Sequence, residues 1–415
     1  MSTYLKNRKT AILGLGREGL STLKFLKKHG VKPKILDAKN DKNYLKRIKD
    51  YDIIFRTPGF PRLHPRLLKA EKRGTQVTSN TRLFFELFPG KIIGVTGTKG
   101  KTSTSFLISA ILKRKFGKNV FQVGNFGKPA LDLLPKLDKR SLVVFELSSF
   151  QLQDLNKSPH VAVITNMTLD HMDPSGRFGP ATHQSAKEYF DAKMNIIRYQ
   201  SAKDFAVINP SLKNRVEKIG KGKKIYPASR PTETKLKGRH NLDNIALTVA
   251  VGNIFKVPKT KVLEAIKDFE GVEHRLEFVT KVNGVSFYND SAATNSDATL
   301  AALKAFDGPL RLILGGSDKG LDYKKLANYI SKSRNIKTVA LIGQIKNKLY
   351  KLIRDKKVKK FESLKDAVLT LYKKSAKNET VLLSPAAASF DMFESYAQRG
   401  KEFKKLVRQM KRRVR

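Results

Sequence analysis

Residues Gly94-Val95-Thr96-Gly97-Thr98-Lys99-Gly100-Lys101-Thr102-Ser103 constrain this chain more than any other stretch. They follow the strand-like Lys91-Ile92-Ile93 and run into a helical apolar pattern, Phe106 to Leu112. Strand, glycine-rich turn, Lys-Thr and helix is an arrangement that holds a nucleoside triphosphate. Backbone N–H groups of the turn and the helix N-terminus favour phosphate oxygens. Lys101 can place a charge at the β/γ-phosphates, and Thr102 can offer its hydroxyl to Mg²⁺. The general Gly-x-x-x-x-Gly-Lys-Ser/Thr spacing fails by one place, because residue 95 is Val. The pattern here is the narrower Thr-Gly-Thr-x-Gly-Lys-Thr. Gly94, Thr96, Gly97, Thr98, Lys99, Gly100, Lys101, Thr102 and Ser103 are therefore the expected triphosphate-binding residues.

A chain of 415 residues exceeds one ordinary core, so two or three domains are expected. There is no Cys, which excludes disulfides, zinc-thiolate sites and thiol nucleophiles. No run of about 18 apolar residues occurs, so no membrane span and no membrane partner are expected. The basic N-terminus leads into Ala11-Ile12-Leu13-Gly14, which reads as a strand entering a turn and not as a signal peptide. A cytoplasmic, monomeric protein is expected. The formal charge is +47, from 83 Lys+Arg against 36 Asp+Glu. Such a field attracts anions, nucleotides included. The basic residues are spread along the whole chain and no nucleic-acid-binding signature appears, so no specific nucleic-acid partner is expected.

The pattern predicts an α/β fold of three domains. Residues 1–89 form a Rossmann-like unit. Its strands lie at Lys9 to Leu13, Lys34 to Leu36, Tyr51 to Phe55 and Gln76 to Thr78. Gly14-Leu15-Gly16-Arg17-Glu18-Gly19 follows the first strand and precedes a helix from about Leu20 to Lys28, with Asp37 after the second strand. That geometry suits any diphosphate, NAD or a UDP-sugar alike. Residues 90–271 form a central P-loop-type domain. Its further strands are Leu142 to Phe145, Val161 to Ile164 and Phe205 to Ile208, apolar runs suited to a parallel sheet buried on both faces. Residues 272–415 form a second Rossmann-like α/β domain. A hairpin from Phe278 to Tyr288 turns at Asn283-Gly284, and strands follow at Leu310 to Leu314, Thr338 to Ile342 and Thr380 to Leu383. The terminal basic helix, Glu402 to Arg415, reads as a solvated cap.

Polar groups cluster just past the C-terminal ends of the central strands, where open α/β sheets bind ligands. Glu146 follows one strand; Asn166 and His171 follow another. With Thr102, a carboxylate and an imidazole can hold a hard divalent cation against triphosphate oxygens. Each alone is unremarkable as a surface acid or a core histidine. Their coincidence at three strand ends favours a joint role.

The glycine turn is similar to that of the Mur ligases and folylpolyglutamate synthases. Glu146-Leu147-Ser148-Ser149-Phe150-Gln151-Leu152 resembles the D-glutamate-adding branch of the Mur ligases, ATP-dependent enzymes of peptidoglycan and cell-wall synthesis. Further segments agree in order: Gly124 to Gly127, Tyr189 to Lys193, Gly238 to Asn244, His274 to Glu277, Tyr288 to Asn295, Leu314 to Gly320 and Leu383 to Asp391. The resemblance spans essentially the whole chain. It implies ATP, UDP-N-acetylmuramoyl-L-alanine and D-glutamate as substrates, two Mg²⁺ ions and a CO₂-derived carbamate on Lys193. It implies catalytic roles for Lys101, Glu146, His171 and Lys193, with Thr102, Glu146, His171 and carbamylated Lys193 as metal ligands. Asn244, Arg275 and Asp290 would enclose ATP. Gly14, Gly16, Arg17, Gly19, Asp37 and Asn125 would hold the UDP substrate. Thr294, Lys319, Ser389, Phe390 and Tyr396 would hold the incoming amino acid. The implied chemistry is phosphorylation of a carboxylate followed by attack of an amine on the acyl phosphate.

Two departures stand out. Ala292 occupies the place of the family's usual Lys, and Arg17-Glu18 stand inside the first glycine turn. Another acceptor, such as L-glutamate, remains open at this stage. So does a non-catalytic nucleotide-binding relative whose basic surface binds anionic polymers.

Overall fold

The structure is a computed structural model. It describes every residue except 1–4, 6, 39–40, 42, 125–127, 169–182, 229–233, 237–238, 356 and 414–415, and gives the backbone alone at 239, 240 and 413. The expected residues Asn125 and His171 lie outside the described residues.

Three sheets carry the chain. The first is parallel, in the order β2-β1-β3-β4, from β1 (Thr10–Leu13), β2 (Lys34–Leu36), β3 (Ile53–Arg56) and β4 (Gln76–Thr78). The second is parallel, in the order β10-β9-β8-β5-β7-β6. It contains β5 (Lys91–Thr96), β6 (Val120–Gly124), β7 (Leu142–Glu146), β8 (Val161–Ile164), β9 (Phe205–Ile208) and β10 (Lys223–Ile225). The third has the order β11-β12-β16-β13-β14-β15, from β11 (Glu277–Val282), β12 (Val285–Asn289), β13 (Leu310–Gly315), β14 (Ile336–Ile342), β15 (Val358–Lys360) and β16 (Thr380–Leu383). Among the described strands, β11–β12 is the one antiparallel pair. Its turn residues, Asn283 and Gly284, both adopt positive φ, as a tight two-residue hairpin requires.

The predicted α/β architecture of three domains is the observed one, and every predicted strand is present. Three short strands escaped the sequence reading: β6, β10 and β15. Each lies at the edge of its sheet. Edge strands lack the continuous apolar run of a strand buried on both faces. The terminal helix differs from its predicted role. It runs Tyr396–Arg413, and Arg399, Phe403 and Val407 are buried, so it packs into the core of the third sheet instead of lying in solvent.

Contacts divide the chain into two compact units, 1–233 with 242–267, and 234–241 with 268–415. The first two sheets share one unit and one apolar core. Phe84 and Phe85, from the helix that links the sheets, pack on Phe145 of β7 with ring centroids 5.7 and 5.8 Å apart. A buried ion pair fixes the same junction. Arg56, at the end of β3, is 1% exposed. Its Nη2 lies 2.6 Å from Asp154 Oδ2, and its Nε donates to both Asp154 oxygens. It also donates to the carbonyls of Phe60 and Phe150. The pair joins the end of the first sheet to the segment after β7.

Arg62 Nε also lies 3.2 Å from Asp154 Oδ1, so losing Arg56 leaves Asp154 one of its two cations and leaves the Phe60 and Phe150 carbonyls without their donor. Arg56→Met is expected to lower unfolding stability by about 1–3 kcal/mol, read from the urea midpoint.

Candidate active site

The central glycine turn leaves the end of β5, the strand flanked by β8 and β7. Gly97 has φ 148° and Gly100 has φ 83°. A Cβ on Gly97 would lie 2.0 Å from Thr165 Oγ1, and one on Gly100 would lie 2.7 Å from Asn244 Nδ2. The turn is thus packed against the segment after β8 on one side and the helix Arg239–Ile254 on the other. Asn244, predicted from a distant motif, meets the turn directly.

Hydrogen bonds from the β8 side hold the turn's shape. Thr98 N donates to Asn166 O at 2.9 Å, and Lys99 N donates to Asn166 Oδ1 at 2.9 Å. Asn166 Nδ2 and Thr165 Oγ1 both donate to Lys99 O, at 2.9 and 2.6 Å. Thr98 Oγ1 lies 2.9 Å from Tyr189 Oη. Lys101 begins the helix Lys101–Phe116, and its Nζ donates to Gly97 O at 3.0 Å and Thr98 O at 2.9 Å.

Glu146 ends β7 opposite Val95 of β5 and is buried. Lys193, on the helix Ala186–Arg198, is 2% exposed, and its Nζ donates to Gly97 O at 2.8 Å. The same ammonium lies 4.8 Å from the centroid of the Tyr189 ring. Lys101 and Lys193 therefore converge on one carbonyl, that of Gly97. Thr102 is buried in the first turn of its helix.

His183 was not anticipated. It is fully buried, with Nε2 2.8 Å from Ser149 Oγ and Nδ1 3.2 Å from Glu188 Oε1, and its ring stacks on Phe150. It ties the segment after β7 to the helix that carries Lys193. A lone His in a polar stretch gave no sequence signal for this.

The first sheet has its own ligand-sized feature. A cavity of about 690 Å³ opens where β1, β2 and β3 end, lined by Gly14, Gly16, Arg17, Glu18, Asp37 and Thr57 among others. Asp37 Oδ2 accepts from Leu15 N at 2.7 Å, so one of its oxygens shapes the turn itself. Gly19 is buried behind the turn.

In the second unit the expected residues follow the ends of β12, β13 and β16, three adjacent parallel strands. Asp290 Oδ2 accepts from Ser384 Oγ at 2.8 Å and Oδ1 from Leu276 N at 3.1 Å. Burial pushes its carboxyl up to about 7, against the pull of those two donors and of the nearby Arg275. Arg275 itself is exposed. Lys319 is exposed, with Nζ 5.1 Å from the ring centroid of Phe390, which is 67% exposed. Ser389 Oγ is buried with no hydrogen-bond partner among the described residues. Thr294 and Tyr396 are half-buried, and Tyr396 O accepts from Ser291 Oγ.

Arg399 was also missed. Its guanidinium is 1% exposed and donates to Ser291 Oγ and to the carbonyls of Ser291, Ala387 and Ala388. It binds together the loops that carry Asp290, Thr294, Ser389 and Phe390. Burial lowers its affinity for the proton to about 10, partly offset by Asp391.

A glycine turn at the end of β5, met by Lys101 and by Lys193 of a neighbouring helix, and a separate cavity at the end of the first sheet are two places that favour anions. Comparison with known proteins is specific. The Mur ligase middle domain matches residues 95–230, the Mur ligase glutamate ligase domain 274–387, and the MurD-like N-terminal domain 8–79. A protein of Acetivibrio thermocellus named UDP-N-acetylmuramoylalanine--D-glutamate ligase is 36% identical over 97% of each chain. One of the same name from Koribacter versatilis is 34% identical over 98% of each. Among solved structures, MurF of Thermotoga maritima in complex with ADP gives a TM-score of 0.61 at 16% identity, covering 100% of this chain and 97% of that one. MurC of the same organism gives 0.59 at 17% identity, covering 97% of this chain and 100% of that one. The chain belongs to the Mur ligase family.

Gly97→Ala must accept positive φ and a side-chain overlap with Thr165. It is expected to cost about 1–3 kcal/mol locally and to raise the KM for ATP. Steady-state kinetics at fixed concentrations of the other substrates checks this.

Proposed function

We propose that this ligase joins D-glutamate to UDP-N-acetylmuramoyl-L-alanine, with conversion of ATP to ADP and phosphate. The observation that carries the reading is the convergence of Lys101 and Lys193 on Gly97, beside the buried Glu146 and Thr102. The whole-length likeness to relatives of that name supports the choice of substrates.

Among the described residues no group of three or more His, Asp or Glu side chains is clustered to hold a metal. The proposed protein donors are the Thr102 hydroxyl and the Glu146 carboxylate, both buried, with phosphate oxygens supplied by the nucleotide. That hard-oxygen set fits Mg²⁺, which keeps part of its water shell. His171 and a carbamate on Lys193 complete the proposed set of ligands for two ions. Bound there, Mg²⁺ supplies neutralisation of the phosphoryl charge. Lys193, buried beside the turn with its Nζ on Gly97 O, is the residue proposed to carry the carbamate. The amine, once deprotonated, attacks CO₂, a C–N bond forms and a proton is released.

The residues then have distinct tasks. The turn's amides and Lys101 orient the β/γ-phosphates. Asn244 is the further ATP-directed residue of the first unit, and Arg275 and Asp290 are those of the second. A carboxylate oxygen of the muramoyl-L-alanine chain attacks the γ-phosphorus, the bond to the bridging oxygen breaks, and ADP leaves. The amine of D-glutamate attacks the acyl carbon, loses a proton, and expels phosphate. Lys319 pairs with a carboxylate of the incoming amino acid, while Thr294, Ser389, Phe390 and Tyr396 shape its site. The unpartnered Ser389 hydroxyl suits that role. The first-domain turn, Gly14 to Gly19, with Asp37 and Asn125, holds the UDP part. The roles divide the chain at 1–89, 90–271 and 272–415. We assign the active species as a monomer in the cytoplasm; no described helix is long and apolar enough to cross a membrane.

Purified protein is expected to release ADP only when ATP, UDP-N-acetylmuramoyl-L-alanine and D-glutamate are all present, with L-glutamate inactive. Nucleotide binding without turnover would sink the reading. Lys101→Ala is expected to lower kcat by on the order of 10²–10³. Ala292→Lys is expected to retain turnover, and complete inactivity would mean that the acceptor pocket requires the small side chain.

A further inference from the structure

The first-domain glycine turn contains a conflict of charge. The helix Arg17–Lys28 starts there, and its free N–H groups favour an anion. Yet Glu18 puts a carboxyl in the first turn of that helix, at the wall of the cavity. Ionised, it would repel a diphosphate from the amides that should receive it.

The surroundings of Glu18 resolve the conflict. Ser148 N donates to Gln151 Oε1 at 2.9 Å, and Gln151 N donates to Ser148 Oγ at 3.2 Å, a reciprocal helix cap. The Gln151 amide is thereby oriented, and its Nε2 donates to Glu18 Oε1 at 2.6 Å. Oε1 is committed as an acceptor. A proton on this carboxyl therefore sits on Oε2, which is buried with no hydrogen-bond partner among the described residues.

The charged neighbours do little to hold Glu18 ionised. Arg56 is already engaged with Asp154, whose own charge opposes ionisation. Arg17 is exposed at the turn. Asp37, Tyr44 and His64 line the rest of the cavity. Burial pushes the Glu18 carboxyl up to about 7, with Gln151, Arg56 and Arg17 pulling it down and Asp154 adding to the rise.

We propose that Glu18 is a neutral acid in the wall of the diphosphate cavity, uncharged so that the anion can reach the helix amides, and that binding takes up a proton at neutral to alkaline pH. This rests on the reading that the cavity holds the UDP part. The ordinary value for this carboxyl is 4.5 and the folded one is raised, so the neutral form persists up to about pH 7. Above that the carboxylate forms, and affinity falls as pH rises. A bound anion favours the neutral form further.

Isothermal titration with UDP-N-acetylmuramoyl-L-alanine at pH 8, in two buffers of different ionisation enthalpy, counts the protons. The diphosphate is a diester and does not titrate in this range. The wild-type enzyme is expected to take up close to one proton, and its KM for this substrate to rise by up to about tenfold per pH unit above 7. Glu18→Gln, which keeps the acceptor and a donor, is expected to bind without uptake and to show a flat KM from pH 7 to 9. His64 also lines the cavity and an anion there would raise it from its lowered value, so His64→Asn is titrated alongside and is expected to keep the uptake at pH 8. Binding without uptake in the wild type, or equal uptake in Glu18→Gln, overturns the proposal alone. No binding heat at any pH overturns the nucleotide-sugar reading and this proposal with it. If Glu18→Gln fails to fold, the wild-type midpoint decides: uptake that appears near pH 7 supports the assignment, and its absence overturns it.

Discussion

The glycine turn after β5 is the constraint on which the central site depends. Its backbone can take this path only without side chains at Gly97 and Gly100, because Thr165 and Asn244 occupy the space a Cβ would need. The turn is consequently held from two sides. Asn166 and Thr165 satisfy Lys99, while Thr98 reaches Asn166 and Tyr189. Lys101 and Lys193 can share the Gly97 carbonyl because the turn is fixed in this way. Preorganised charge of this kind is worth most where water is excluded, and Lys193 and Glu146 are buried.

The same principle recurs at each sheet. The residues proposed to bind ligands follow the C-terminal ends of adjacent parallel strands, where loops from neighbouring strands diverge. In the first sheet these are the ends of β1, β2 and β3, which open the cavity. In the third they are the ends of β12, β13 and β16. There a buried guanidinium replaces a network of ion pairs. Arg399 satisfies carbonyls from several loops at once, and its charge is met chiefly by backbone oxygens. Ala292 follows Ser291, one of those partners.

The first two sheets form one unit because apolar and ionic contacts coincide at their junction. Phe84 and Phe85 bury their rings on β7, and Arg56 bonds to Asp154 beyond it. Glu18 and Gln151 add a polar contact at the same junction. The Gly-x-Gly-x-x-Gly turn and the Glu-Leu-Ser-Ser-Phe-Gln-Leu segment are thus physically linked, although each was read separately as a motif.

By itself the sequence determined the α/β class, the three-domain order and the central strands, because strands buried on both faces must be continuous apolar runs between turns. It also located the glycine turn between β5 and the helix Lys101–Phe116, since glycine spacing and Lys-Thr are local features. Tertiary structure decided what depends on distant partners. Edge strands β6, β10 and β15 escaped because pairing, not local hydropathy, makes them strands. The terminal helix looked solvated from its charge, yet Phe403 and Val407 fill the core of the third sheet. His183 and Arg399 show no pattern in one dimension, because their importance lies in bonds to residues 34 and 108 positions away. The surroundings of Glu18 were equally invisible, since its burial and its bond to a residue 133 positions away arise only on folding.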